Sequence, residues 1–231
     1  MGDKATAKKL ILFDIDGTLI TDSGASREAF AEALRETYEF TNPLDPYDFS
    51  GQTDPQIAHM VLGDAGFAVN QIDDKLPRFW SLYLTEMSRR VSPERVRALA
   101  GAHHLLSRLR RVPRFTLALL TGNIEQGARI KLAPPDLNGF FAFGAFGSDS
   151  ARREELAPVA CRRAAAIHHF QGSDVVIIGD SIFDVRCGVP HGATTIAVAS
   201  GRTSLATLEA ENPSFLFTSL EDSDAIIEAI G

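Results

Sequence analysis

Cysteine is almost missing from the 231 residues: Cys161 and Cys187 stand alone, with no CxxC pair. A disulfide framework and a thiolate metal site are thereby excluded, and free thiols point to a reducing compartment, the cytoplasm. Long apolar runs are missing too. The segment before Asp14, MGDKATAKKLILF, ends in only four consecutive apolar residues, too few for a signal-peptide core or a membrane span; it reads as a short mobile arm leading into a strand. Basic charge is scarce, with 23 Lys and Arg against 30 Asp and Glu and a net charge of −7. That balance argues against a nucleic-acid surface, and any anionic ligand needs a local cation. Histidine is concentrated in the adjacent pairs His103–His104 and His168–His169. Neighbours on a helix do not share a face, so these are not a ligand set. Finally, no lysine follows Lys131, so the remainder of the chain relies on arginine for fixed positive charge.

What is present is an alternation. LILFD, RFTLALLTGN, FFAFGAFGS, DVVIIGD and TTIAVAS are short apolar runs bounded by turn or helix signals, and they read as buried strands. Between them lie helical patterns such as GAHHLLSRLRRV, IEQGARIKL, EELAPVACRRAAAIHHF and SLATLEAE. This predicts an α/β, Rossmann-like core with a five-stranded, mostly parallel sheet and helices on both faces. From Asp22 to Arg90 the pattern changes to three amphipathic stretches without a strand, an inserted all-helical unit. The expected division is a core of residues 1–21 and 92–231 and a helical cap of 22–91, with hinges near Leu19–Ser23 and Val91–Arg95.

Ligands of an open parallel sheet bind beyond the carboxyl ends of its strands. The polar residues there are Asp14 and Asp16, then Thr121 and Asn123, Ser148 and Asp149, and Asp180 and Asp184. Carboxylates crowded in a cleft raise one another's pKa values unless a cation neutralises them. An all-oxygen donor set suits Mg²⁺, which takes one or two carboxylates and a phosphate oxygen. The acidic edge therefore reads as a Mg²⁺ site that receives a phosphate, with Asp149 no better than a solvated loop acid.

Three stretches in register, DIDGTL at 14–19, LLTGN at 119–123 and GDSIFD at 179–184, together with the helical insertion and its SGQTDPQI, resemble the haloacid dehalogenase superfamily of phosphohydrolases, and in the cap its phosphoglycolate-phosphatase-like members. The resemblance implies that Asp14 is the nucleophile forming an aspartyl-phosphate and that Asp16 is the general acid and then the base. It also implies that Asp14, the Asp16 carbonyl and Asp180 hold Mg²⁺, with Asp184 supporting them from behind. Thr121, Gly122 and Asn123 would cradle the phosphoryl oxygens, and Gly17 would turn the chain beside them. The family's usual third-motif lysine has no counterpart after Lys131; Arg153, ahead of its neighbour Arg152, would replace it as a fixed bidentate donor that lysine does not freely match. The expected activity is a Mg²⁺-dependent phosphomonoester hydrolase of a small, phosphoglycolate-like metabolite, with Arg27 and Arg78 as further contacts for an acidic substrate. A phosphomutase of the β-phosphoglucomutase kind and a non-catalytic phospho-ligand-binding protein are the alternatives. No nucleic acid or membrane partner is expected, and the sequence leaves the oligomeric state open.

Overall fold

The computed structural model describes residues 7–231; most of the expected mobile arm lies outside them. The central sheet runs in the order β5 (Gly144–Ala145), β4 (Phe115–Leu120), β1 (Lys9–Phe13), β6 (Val175–Gly179), β7 (Thr194–Val198) and β8 (Phe215–Phe217). Every neighbouring pair is parallel. The core is thus α/β as expected, with six strands rather than five. The added strand, β8, is three residues long and none of it is fully buried, so it lacks the buried apolar run that marks the others. Conversely, FFAFGAFGS yields only the two residues of β5, because residues 138–140 form a 3₁₀ turn. Phe141 and Phe146 nevertheless stay in the core.

β1 lies between β4 and β6, with Leu12 opposite Ala118 and Ile177. A strand covered on both faces is apolar throughout, and its alternate residues separate cleanly. Ile11 and Phe13 join the cluster containing Leu105, Leu109, Ala128, Leu132, Ile226 and Ile230, which belong to α5 (Ala102–Arg110), α6 (Glu125–Leu132) and α10 (Ser223–Ile230). Leu10 and Leu12 join Leu156, Ala160 and Ala164 of α7 (Leu156–Ala164).

Between β2 (Ile20–Asp22) and β3 (Val96–Ala98) the chain forms α1 (Ala25–Tyr38), α2 (Asp54–Asp64), α3 (Val69–Asp73) and α4 (Leu76–Arg90). The short α3 is one helix more than the three amphipathic stretches suggest. This segment has its own apolar cluster, including Phe30, Leu34, Leu62, Phe79, Tyr83 and Met87. Phe30 meets Phe79 and Tyr83 edge-on at ring separations of 5.0 and 5.3 Å, a favoured arrangement of aromatic quadrupoles. The chain leaves and returns through an antiparallel ribbon in which Ile20 faces Ala98. The residues expected as hinges lie in this ribbon or just before it.

Arg27 and Arg78, expected as contacts for an acidic substrate, each have partners within the insertion. Arg27 donates to the carbonyls of Leu44 and Tyr47 at 2.6 and 2.8 Å and lies 4.0 Å over the Phe49 ring. Arg78 donates to the Glu36 carbonyl. Among the described residues no helix is long and apolar enough to cross a membrane.

Candidate active site

Asp14 extends β1 by one step, its N–H donating to the Ile178 carbonyl at 3.0 Å, and the residue is only 6% exposed. The chain then turns sharply: the Gly17 N–H reaches the Ile20 carbonyl at 2.9 Å, with Gly17 at φ 83°, a conformation glycine adopts without steric cost. Asp180, at the end of β6, accepts from the Thr18 hydroxyl at 3.3 Å. Its carboxylate passes so close to Gly17 and Gly201 that a Cβ on either would overlap it. From the loop after β7, the Ser200 hydroxyl donates to the Gly17 carbonyl at 2.7 Å, joining two strand-end loops across the cleft.

Ser181 and Asp184 form a reciprocal cap at the start of α8 (Ile182–Gly188): one Asp184 oxygen accepts from the Ser181 N–H at 3.0 Å and from its hydroxyl at 2.6 Å. The other Asp184 oxygen accepts from Arg153. Arg153, 4% exposed in the 3₁₀ turn before α7, donates through the same Nη2 to Asp14 at 2.9 Å. Arg152 points away, exposed, to Glu154 and Glu155. Of the two arginines it is thus Arg153 that meets the acids. It does so through one nitrogen and not as the expected bidentate fork; its Nε is buried without a partner. The Cys187 thiol donates to the Arg153 carbonyl at 3.3 Å, and burial pushes that thiol up to about 11.

Asp14, Asp180 and Asp184 each offer an oxygen within 4.8 Å of the others. Burial, and then the Asp184 charge, pushes the Asp14 carboxyl up to about 7 despite Arg153. Burial, followed by Asp14 and Asp184, raises Asp180 as well. One arginine does not balance three buried carboxylates. An all-oxygen set with excess negative charge fits a hard divalent cation.

On the other side of the cleft, Asn123 Nδ2 donates to Asp16 at 2.7 Å and to the Thr121 hydroxyl at 2.8 Å. Thr121, fully buried, also accepts the Asn123 N–H at 3.3 Å. Both bonds use the hydroxyl as acceptor, which leaves its proton free to donate. Asp16 receives a partner that sequence reasoning missed: Lys131 Nζ lies 2.9 and 2.8 Å from its two oxygens and Lys131 is 5% exposed. Burial alone would lower the lysine, but Asp16, Asp22 and Asp54 hold it above its ordinary value.

Asp54, from the start of α2, is also absent from the sequence expectation. Its carboxylate accepts the Ile124 N–H at 2.8 Å at the start of α6, while its own N–H donates to the Gly122 carbonyl at 2.8 Å. The adjacent Thr53 hydroxyl donates to the Ala151 carbonyl at 2.7 Å. The insertion is thus docked onto the Thr121–Asn123 loop. The docking is tight, because a Cβ on Gly122 would overlap the Gln52 carbonyl. Gly122→Ala should therefore destabilise the docked arrangement by ~1–3 kcal/mol, the usual cost of overpacking. Faster proteolysis in the 48–53 loop would report it, and cleavage as slow as in the wild type would contradict it.

Ser148 and Asp149 are structural. Ser148 accepts the Glu125 N–H at 3.2 Å, and Asp149 pairs with Arg163 at 2.6 Å. His103 and His168 lie against Phe140 and Phe170. The cleft beside the acids, lined by Asp16, Gly17, Ser50, Asp180, Gly201 and Arg202 among others, has a volume of about 290 Å³. A larger cavity of about 560 Å³ beside Trp80 and Ser148 is lined by none of Asp14, Asp16, Asp180 and Asp184.

Among solved structures, a hydrolase from Pseudomonas syringae aligns with a TM-score of 0.74 at 20% identity, covering 97% of this chain and 99% of the other. A predicted phosphatase from Clostridium acetobutylicum gives 0.74 at 17% identity, over 96% and 99%. A predicted phosphoglycolate phosphatase from Haemophilus somnus gives 0.71 at 15%, over 97% and 100%. At these identities the likeness is one of fold. Among curated proteins no sequence match is found. The family model of the haloacid dehalogenase-like hydrolases matches residues 11–198, a span from β1 to the end of β7 that includes the helical insertion and every acid described above. The chain belongs to the haloacid dehalogenase-like hydrolase family.

Proposed function

We propose that the chain is a Mg²⁺-dependent phosphomonoester hydrolase acting on a small phosphorylated metabolite through an aspartyl-phosphate on Asp14. The observation that carries this reading is the convergence of Asp14, Asp180 and Asp184 within 4.8 Å, with Asp16 on the same β1 turn. Asp14 attacks phosphorus, Asp16 protonates the departing oxygen, and Asp16 then takes a proton from the hydrolytic water. Thr121 and the N–H groups of Gly122 and Asn123 receive the phosphoryl oxygens, which fixed donors stabilise as charge develops. Gly17 keeps the backbone close, and Arg153 holds Asp14 toward phosphorus.

Asp14, the Asp16 carbonyl and Asp180 would hold Mg²⁺, with Asp184 behind them. The ion would supply charge neutralisation for an incoming phosphate. Residues 22–91 serve as a cap over the cleft on a core of 1–21 and 92–231. Closure of the cap excludes bulk water, and the cleft of about 290 Å³ suits a small ester such as a phosphorylated short acid. Free Cys161 and Cys187 accord with a cytoplasmic setting.

The test is phosphate release from a panel of small phosphomonoesters, with Mg²⁺ and with a chelator. It is paired with acid quenching to trap phosphate on the protein as a hydroxylamine-labile acyl phosphate. Metal-dependent release with the label on Asp14 is the expected outcome. No release from any ester by folded, Mg²⁺-supplied protein would sink the proposal.

A further inference from the structure

α6 buries Gly127, Ala128, Lys131 and Leu132 on its inner face, so Lys131 occupies a position where the helix otherwise packs small and apolar residues. Burying an ammonium there is costly unless it is paired and hydrogen-bonded. Its hydrogen-bond partner is Asp16, 115 residues away, with contacts of 2.9 and 2.8 Å to the two carboxylate oxygens. Asp16 is the exposed member of the group, its side chain 39% accessible. Besides Lys131, the side chain that grips its carboxylate is Asn123, at 2.7 Å. Asp22 of the β2–β3 ribbon and Asp54 of the insertion also contribute to the field at Lys131, which places the ammonium where insertion, ribbon and core meet.

We propose that Lys131 is a positioning residue for the acid–base group, fixing the Asp16 carboxylate over the nucleophile in both halves of the reaction. The inference rests on the hydrolase reading above. In the first half an Asp14 oxygen bonds to phosphorus, the ester P–O bond breaks, and the departing oxygen keeps the electron pair and takes the Asp16 proton. In the second, water oxygen bonds to phosphorus and the bond to Asp14 breaks, returning its electron pair to the Asp14 carboxylate. The water proton goes to Asp16, which is thereby reloaded. With Lys131 removed, the Asn123 amide holds one Asp16 oxygen and the other loses its partner, so the carboxylate can swing about that single bond and both proton transfers lose their geometry.

Leaving-group chemistry separates this role from simple support of the fold. p-Nitrophenolate departs without a proton, so forming the phosphoenzyme from p-nitrophenyl phosphate does not use Asp16, whereas hydrolysing that phosphoenzyme does. In rapid mixing with p-nitrophenyl phosphate, Lys131→Met should keep the wild-type rate of initial p-nitrophenolate release. Its steady rate should then fall on the order of 10²-fold, the range of a lost acid–base contribution, and acid-quenched phosphoenzyme should accumulate. With glycerol phosphate, whose leaving group needs the proton, phosphoenzyme formation itself should slow. Lys131→Gln, which retains a donor, should recover part of the steady rate. Equal slowing of the initial and steady phases with p-nitrophenyl phosphate would overturn the positioning role while leaving the hydrolase reading intact. A wild type that forms no phosphoenzyme on Asp14 would overturn both.

Discussion

Asp14→Asn should abolish phosphate release and, in the same protein, raise the stability of the metal-free fold at pH 8. The loss of activity follows from chemistry, because an amide oxygen does not replace the carboxylate nucleophile. The gain in stability follows from crowding. Burial and the Asp184 charge move the Asp14 carboxyl from 3.8 to about 7, so the folded protein holds this proton more tightly than the unfolded chain. A raised carboxyl contributes its full stability below about pH 4, loses it as pH rises, and has lost it above about 7. Asparagine carries no charge at any of these pH values, and its Oδ1 can still accept from Arg153. A shift of about three units corresponds to a ceiling of about 4 kcal/mol. Urea unfolding in chelator should show the two proteins alike near pH 4, diverging through pH 5–7 and separated most at pH 8. Adding Mg²⁺ should narrow the gap, because the cation neutralises the charge that asparagine removes. A wild type as stable as Asp14→Asn at pH 8 in chelator would contradict the account.

How much of this was legible in the sequence depends on whether a residue's burial could be read from its neighbours. Asp14, Thr121 and Asp180 each end an apolar run, and strands buried on both faces announce their carboxyl ends. The family resemblance then assigns roles to those positions. Arg153 was legible only through that resemblance: the family's third motif calls for a cation, no lysine follows Lys131 to supply it, and the likeness in phasing favours Arg153 over its neighbour Arg152. Lys131 was not, because an amphipathic helix read at a 3.6-residue period tolerates a lysine whose stem is apolar. Only its phase with Gly127 and Ala128 hinted that it faces inward. Asp54 reads as an ordinary first-turn acid of α2 and makes its bond to Ile124 across 70 residues, a pairing no local pattern contains. β8 fails for the opposite reason: Phe215–Phe217 is a half-covered edge, and edges carry little periodic signal.

Arg153 separates charge from shape, and its two substitutions should differ widely. Its Nη2 bridges Asp14 and Asp184 while its Nε is buried with no partner. Arg153→Met keeps the packing but leaves two buried carboxylates facing each other without a cation, and removing one partner of a buried ion pair costs ~3–5 kcal/mol. Turnover should fall with it, since nothing then restrains the nucleophile. Arg153→Lys should behave differently. A single ammonium can reach both acids from the same direction, it abandons no bidentate contact because none exists, and it removes a buried donor that has no acceptor. Its cost should stay within ~1.5 kcal/mol, as for substitutions that roughly conserve volume, with most of the turnover retained. Asp14→Asn combined with Arg153→Met should be less unstable than the single effects predict, because the charge left unpaired by one change is removed by the other. Urea midpoints of the wild type and these four variants, Asp14→Asn included, at pH 8 provide the test. If lysine proves as damaging as methionine, the guanidinium shape and not its charge holds the site, and the bridging role of Nη2 is wrong.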